Sequence, residues 1–438
     1  MGAGSPVTER SRWVLPIVCA IFLVGFLGAV FGVALAKLQL WPWPHIDRML
    51  EAGKSLRQFG AVIPEGRRMR APEQASRERF TVHDRARMQG GYYAFAGWDD
   101  ALGNYAAWLY DASGKPLHRW TLDYRLLDSR GLPEAEDSAP HGFVVLPDGS
   151  VVVNFDKGFV MGRFDACSQP VWKREGVFHH LISQAEDGNL WSWRGDEATA
   201  YGHYQYMEKL DVATGAEIRK IGLIEDVLPA DPQAAVLLGV EAGAEFRNHD
   251  GAARSHRSLD LFHPNDVEEL GPALAPRFPM FAAGDLLVSI RRMNLVAVLD
   301  GTDFHFKWWS HGPWISQHDP DFTADGFISV YDNNTDRGPS AIIRMDPTTH
   351  AVTELPAAAD AAWHSPYMGA HQYLPNGNVL IVSPGEGRAI ERSPTGAMVM
   401  EFNNIPTQGS EFNDHVENGV WLPDGFFPTL PACSRRSP

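Results

Sequence analysis

Leu146-Pro147-Asp148-Gly149-Ser150-Val151-Val152-Val153 is the stretch whose reading decides the fold. A Pro-Asp-Gly turn runs straight into β-branched residues. Asp-Gly beside an apolar run is a strong hairpin signal, because a tight turn needs positive φ. A second hairpin follows in Gly162-Arg163-Phe164-Asp165 to Trp172.

This two-part unit recurs. The turn half returns at Asp187-Gly188, Gly284-Asp285 and Asp325-Gly326, and as Leu374-Pro375-Asn376-Gly377 before Val379-Leu380-Ile381-Val382. The second half occurs six times, with its turn at Asp111, Asp165, Asp211, Asp300, Asp346 and Ser393. Asp111, Asp165 and Asp211 stand 54 and 46 residues apart, Asp300 and Asp346 46 apart, and Ser393 follows 47 later. The 89 residues between Asp211 and Asp300 are one period plus an insertion at about 221–261. A period of that size with four short strands per unit is the signature of a propeller blade. The expected fold is all-β, a six-bladed β-propeller. Trp421-Leu422-Pro423-Asp424-Gly425 is expected to complete a blade with strands from the other end of the chain.

Histidines stand in register with this repeat. His141, His180 and His318 each lie eight residues before the turn glycine (Gly149, Gly188, Gly326), and His371 lies six before Gly377. His263 lies further ahead of Gly284 because Gly271–Phe281 reads as an extended loop. Innermost strands line a propeller's channel, so residues entering them converge on the axis. A lone histidine is ordinarily a packing residue; a set in register is not. Local contexts supply partners: Asn265 and Asp266 after His263, Arg292 beyond them, Asp319, Asn333 and Arg337 after His318, and Arg388 after His371. Arginine forks suit a sulfonate or phosphate, and neutral imidazole suits nucleophilic or acid–base work. Metal binding is the competing use, with Asp266 and Asp319 as further ligands, but the ring reads as rich in nitrogen and poor in carboxylates.

The ordered set His263-x-Asn265-Asp266, Gln317-His318-Asp319 with Asp332-Asn333, and Leu374-Pro375-Asn376-Gly377-Asn378 with Gly387-Arg388-x-x-Glu391 resembles the bacterial arylsulfate sulfotransferase family. The resemblance implies a six-bladed periplasmic propeller. It would move a sulfuryl group from an aryl sulfate to a phenol with no nucleotide donor and no cofactor or metal. By resemblance, His371 would become a sulfohistidine, while His263, His318 and Arg337 would bind the sulfuryl oxygens and handle the phenolic proton. Asn265, Arg292, Asn333, Arg388, His141 and His180 are the expected substrate contacts. Two departures stand out: no room for the β-domain that precedes the propeller in some members, and no evident counterpart of the family's disulfide. A non-catalytic scaffold and a metal-dependent propeller hydrolase are the competing readings. The hydrolase predicts a carboxylate-rich axis.

The ends and the composition set the context. Trp13 to Ala36 carries no charged residue and is long enough as a helix to cross a bilayer. Arg10 and Arg12 precede it, and Trp41 and Trp43 follow. The expected layout is residues 1–12 cytoplasmic, 13–36 a single inner-membrane anchor, 37–84 a stalk and 85–438 a propeller outside the cytoplasm. A signal peptide cleaved after Ala34-Leu35-Ala36 is the alternative. With 44% hydrophobic and 21% charged residues the chain reads as folded, and a net charge of -16 argues against a nucleic-acid partner. Three cysteines exclude a zinc–thiolate site; only Cys167 and Cys433 are placed to pair, and their spacing does not say whether they do.

Overall fold

The computed structural model describes residues 11–37, 68–129, 139–155, 158–195, 205–239, 262–356 and 362–433. Contacts divide the chain into a unit at residues 1–61 and a unit at residues 62–438.

The second unit is a ring of six antiparallel sheets of four or five strands. The innermost strands, in order round the ring, are Val416–Leu422, Phe143–Val145, Val177–Gln184, Pro264–Glu269, His318–Phe322 and Ala370–Tyr373. Each touches the next, and the last touches the first, so the ring closes. We number the blades 1 to 6 in that order. The six blades are those read from the repeat.

The second strand of a blade is buried on both faces by its neighbours, so it reads as a continuous apolar run rather than an alternation. Val151–Asn154, Leu286–Ile290 and Val379–Ser383 are buried throughout. Outermost strands such as Pro170–Glu175 meet water and are mostly polar. One apolar cluster joins Trp191 and Trp193 of blade 3 to Val288 and Ile290 of blade 4, and another joins Leu109 and Trp120 of blade 1 to Val151 and Val153 of blade 2. Each such fully buried aliphatic side chain contributes about 1.5–3 kcal/mol. The turn glycines have the positive φ that the hairpin reading requires, +81° at Gly149 and +88° at Gly326.

Closure is made three times. The C-terminal strand Val416–Leu422 is the inner strand of blade 1, with Trp421 opposite Tyr93. The N-terminal strand Phe80–Val82 is a fifth, outermost strand of blade 6, with Phe80 opposite Phe402. The tail beyond blade 1 crosses to blade 2, where Cys433 is bonded to Cys167. The question left open by the cysteine spacing is therefore answered.

Two boundaries are corrected. The stretch assigned to a stalk supplies strands: Phe80–Val82, and Arg68–Arg70, which pairs with Phe412–Asp414. Its short Phe-Thr-Val alternation lies beyond a run of arginines that dominates the sequence signal. Residues 38–67 of that stalk lie outside the described residues. The insertion begins beyond the strand Glu217–Gly222 with short helical turns, from which Leu223, Val227, Leu237 and Leu238 pack against blades 3 and 4. Residues 240–261 lie outside the described residues.

In the first unit, Ser11–Lys37 forms a 27-residue α-helix containing Pro16. Its described apolar side chains, Phe22, Phe26 and Phe31 among them, are exposed. Among the described residues no helix is long and apolar enough to cross a membrane, so the expected transmembrane helix at 13–36 is not found there.

Candidate functional site

Bulges interrupt the inner strands between His179 and Ile182, between Pro264 and Asp266, and between His318 and Asp321. A bulge turns side chains that would otherwise alternate. Backbone strain accompanies them: His180, His263 and Asp319 have φ of +59°, +45° and +50°. Such conformations cost of order 1–3 kcal/mol each and cluster at functional sites.

Two layers of side chains result. The first is five imidazoles from blades 2 to 5. Ring centroids are 4.7 Å apart for His141 and His180, 3.7 Å for His179 and His180, 5.0 Å for His180 and His263, and 5.3 Å for His180 and His318. His180 Nε2 lies 3.1 Å from His263 Nε2. Burial, then the neighbouring imidazoles, holds His180 well below the usual histidine range. His318 is lowered likewise, by burial and then by the nearby Arg291 guanidinium. Both rings are thus uncharged at neutral pH.

Buried asparagines fix this layer from blade to blade. Asn154 accepts from Gly142 N–H and donates to His180 O, and Asn418 donates to His141 O. Asn333 Oδ1 lies 2.7 Å from His318 Nδ1 while its amide nitrogen donates to Ser365 O and Met368 O. Asn265 donates to Gln317 O. Asn265 and Asn333, expected to touch substrate, are fully buried and hold backbone and ring in place.

The second layer surrounds His371. Its Nδ1 is 2.9 Å from Asp319 Oδ2, and its Nε2 is 2.8 Å from Ser329 Oγ and 3.5 Å from Asp321 Oδ2. The Asp319 carboxylate also accepts from His371 N–H. A carboxylate on Nδ1 selects the tautomer that leaves the Nε2 lone pair available, with the Ser329 hydroxyl donating to it. His371, Asp319, Asp321, Asp266 and Glu268 line a cavity of about 410 Å³, closed on its other sides by Phe143, Ile182 and the inner strand of blade 1. Burial, then the neighbouring carboxylates, raises Glu268, Asp266 and Asp321. Glu268 is pushed up to about 8, and Asp266 and Asp321 are held well above the carboxylate range. They act as neutral acids near pH 7.

The sequence expectations meet this geometry unevenly. His141, His180, His263 and His318 come together as one group. His371 sits on the same channel but in the acidic layer. Arg337 is exposed on the turn after Asn333, where burial raises the Asp332 carboxyl despite its charge, and Arg292 is exposed beyond Ile290. Arg388 is fully buried on the third strand of blade 6, with Nε 2.8 Å from Glu386 and a terminal nitrogen 3.7 Å from Glu401. It is a structural ion pair rather than a substrate contact, because that strand does not reach the channel. The expectation of few carboxylates is also corrected.

Several participants escaped the sequence reading. His179 stands next to a residue in register, and only the bulge turns both inward. Ser329 reaches His371 from the second strand of blade 5. Asp321 and Glu268 were legible by continuing the inner-strand alternation past Asp319 and Asp266.

A family model described as arylsulfotransferase (ASST) matches residues 142–405, which contain both layers apart from His141. The chain belongs to the arylsulfotransferase family. Arylsulfotransferase activity follows at the level of the family. No curated protein matches the chain. Similar solved structures include a protein of unknown function from Bacteroides caccae, at 8% identity and TM-score 0.48, over 76% of this arylsulfotransferase and 98% of that chain. TolB from Acinetobacter baumannii is 13% identical, TM-score 0.43, over 76% and 66%. Virginiamycin B lyase from Staphylococcus aureus is 13% identical, TM-score 0.33, over 60% and 70%. None of the three bears on the activity of this arylsulfotransferase.

Proposed function

We propose that this chain moves a sulfuryl group from an aryl sulfate ester to a phenol through a covalent intermediate on His371 Nε2, without a nucleotide donor. The observation that carries it is the Asp319–His371–Ser329 array opening on a cavity lined by neutral acids. In the first half-reaction the Nε2 lone pair attacks sulfur and the S–O bond to the aryl group breaks. The Asp319 carboxylate balances the positive charge the ring gains. Asp321, whose carboxyl lies 3.5 Å from Nε2, gives its proton to the departing phenolate. In the second half the acceptor phenol returns a proton to Asp321, its oxygen attacks sulfur, and the N–S bond breaks. Neutral Asp266 and Glu268 donate hydrogen bonds to the sulfuryl oxygens, where a loose transition state concentrates charge.

The family match and the Cys167–Cys433 bond support a domain working in an oxidising compartment. The uncharged run Trp13–Ala36 behind Arg10 and Arg12 is the sequence feature that favours an anchor in the inner membrane.

The test is p-nitrophenol release from p-nitrophenyl sulfate, with and without phenol, for wild type and His371→Ala. Phenol-dependent release with phenyl sulfate as product, lost in the variant, is the expected result. Transfer that persists in the variant rejects His371 as nucleophile. A second reading, metal-dependent hydrolysis, draws on Asp319, Asp321 and His371, whose ligand atoms lie within 4.8 Å of one another. It predicts release that ignores phenol and stops with a chelator.

A further inference from the structure

The imidazole layer has a chemistry that His371 does not use. We infer that His141, His179, His180 and His263 form a site for one divalent transition-metal ion of the zinc class, at the inner edges of blades 2 to 4 and separate from the His371 layer.

The donor set selects the ion. Four imidazoles with no carboxylate or thiolate among them suit zinc, copper or nickel and not calcium or magnesium. The spacing also fits. Two nitrogens each about 2.0–2.1 Å from a tetrahedral ion stand roughly 3.3 Å apart. His180 Nε2 and His263 Nε2 are 3.1 Å apart. Ligand nitrogens of His141, His179 and His180 lie within 4.8 Å of one another, and His263 joins this group through its contact with His180. His318 stands aside, its Nδ1 engaged by Asn333.

The scaffold holds this set rigid. His141, His179 and His180 are each nine-tenths buried or more. A Cβ on Gly142 would lie 2.5 Å from Ile182 and 2.7 Å from His180 O, so the strand bearing His141 packs directly on the next blade. Asn154 and Asn418 tie the backbone of His180 and His141 across blade boundaries. Two Nε2 atoms in contact can share a single proton, whereas an ion engages both lone pairs. An ion here would add to the positive charge that Arg291 brings beside His318, in a chain of net charge -16.

Cobalt(II) and zinc report the site directly. The full chain, freed of metal with a chelator, is titrated with Co²⁺ by ligand-field absorption and with Zn²⁺ against a chromophoric chelator. The expected result is one tetrahedral ion per chain in wild type and in His371→Ala. Affinity should fall at least about 100-fold in His180→Ala/His263→Ala, more than the 10–100-fold typical of losing a supporting residue. His179→Ala, the gentler change, should weaken binding and alter the Co²⁺ spectrum. Wild type binding no tighter than the double variant overturns the site. So does an ion lost in His371→Ala but kept in His179→Ala, which would place it among Asp319, Asp321 and His371. Because His371→Ala separates transfer from metal binding, either idea can fail without the other.

Discussion

The side chain that decides the chemistry is Asp319. It sits beside His318 in sequence, yet its carboxylate meets His371 of the next blade. Asp319→Asn keeps the shape and removes the charge that fixes the tautomer. We expect kcat to fall by about 10²–10⁴-fold with KM little changed, read from steady-state rates. The neighbouring acids set a pH limit. Glu268 is raised by burial to about 8, so it is protonated at neutral pH and ionises above. Transfer should decline as pH rises through about 8, and Glu268→Gln should shift or flatten that limb. The same shift has a stability sign. The unfolded chain releases this proton near pH 4.3 and the folded chain keeps it to about 8, so stability falls as pH rises across that window. Melting temperature against pH should lose part of that slope in Glu268→Gln. At this scale the sequence was readable where residues share a register, as His141, His180 and His318 do. It was not where a bulge doubles an inward position, as at His179, or where a strained φ redirects a strand, as at Asp319.

A blade is legible because its hairpins are local. Leu146-Pro147-Asp148-Gly149 sets a turn and Val151–Asn154 a buried strand with no help from distant residues. The elements that escaped depend on partners far away. Phe80–Val82 is a strand only because Met398–Asn403 offers an edge, and its three residues carry little signal of their own. Arg388 reads as a cation near a histidine until the packing shows it between Glu386 and Glu401. The bond between Cys167 and Cys433 spans 266 residues and ties the tail that completes blade 1 to blade 2. Cys433→Ser should lower stability by about 2–5 kcal/mol, seen as a drop in melting temperature that a reductant reproduces in wild type. A melting point unmoved by either would mean that the strand pairing alone secures the ring.

For the molecule as a whole, the repeat specified the ring and the histidines in register specified one layer of its channel, while the acidic layer emerged only from the assembled blades. The proposed anchor is tested at this scale too. Replacing residues 1–37 by a cleavable secretion signal should shift the protein from the membrane to the soluble fraction while Cys167–Cys433 still forms and phenol-dependent transfer persists. Retention on membranes after the replacement would assign the attachment elsewhere.

The way blade 1 is built has a temporal consequence. Its inner strand pairs Val416 with Gly97, residues far apart in the order of synthesis. Until Val416–Leu422 leaves the ribosome, the ring lacks a wall. Contacts so distant in sequence form slowly, because the loop entropy is lost before they return any energy. The site therefore assembles only after this strand has been made, and a chain that stops short of Val416 should yield no active enzyme at all.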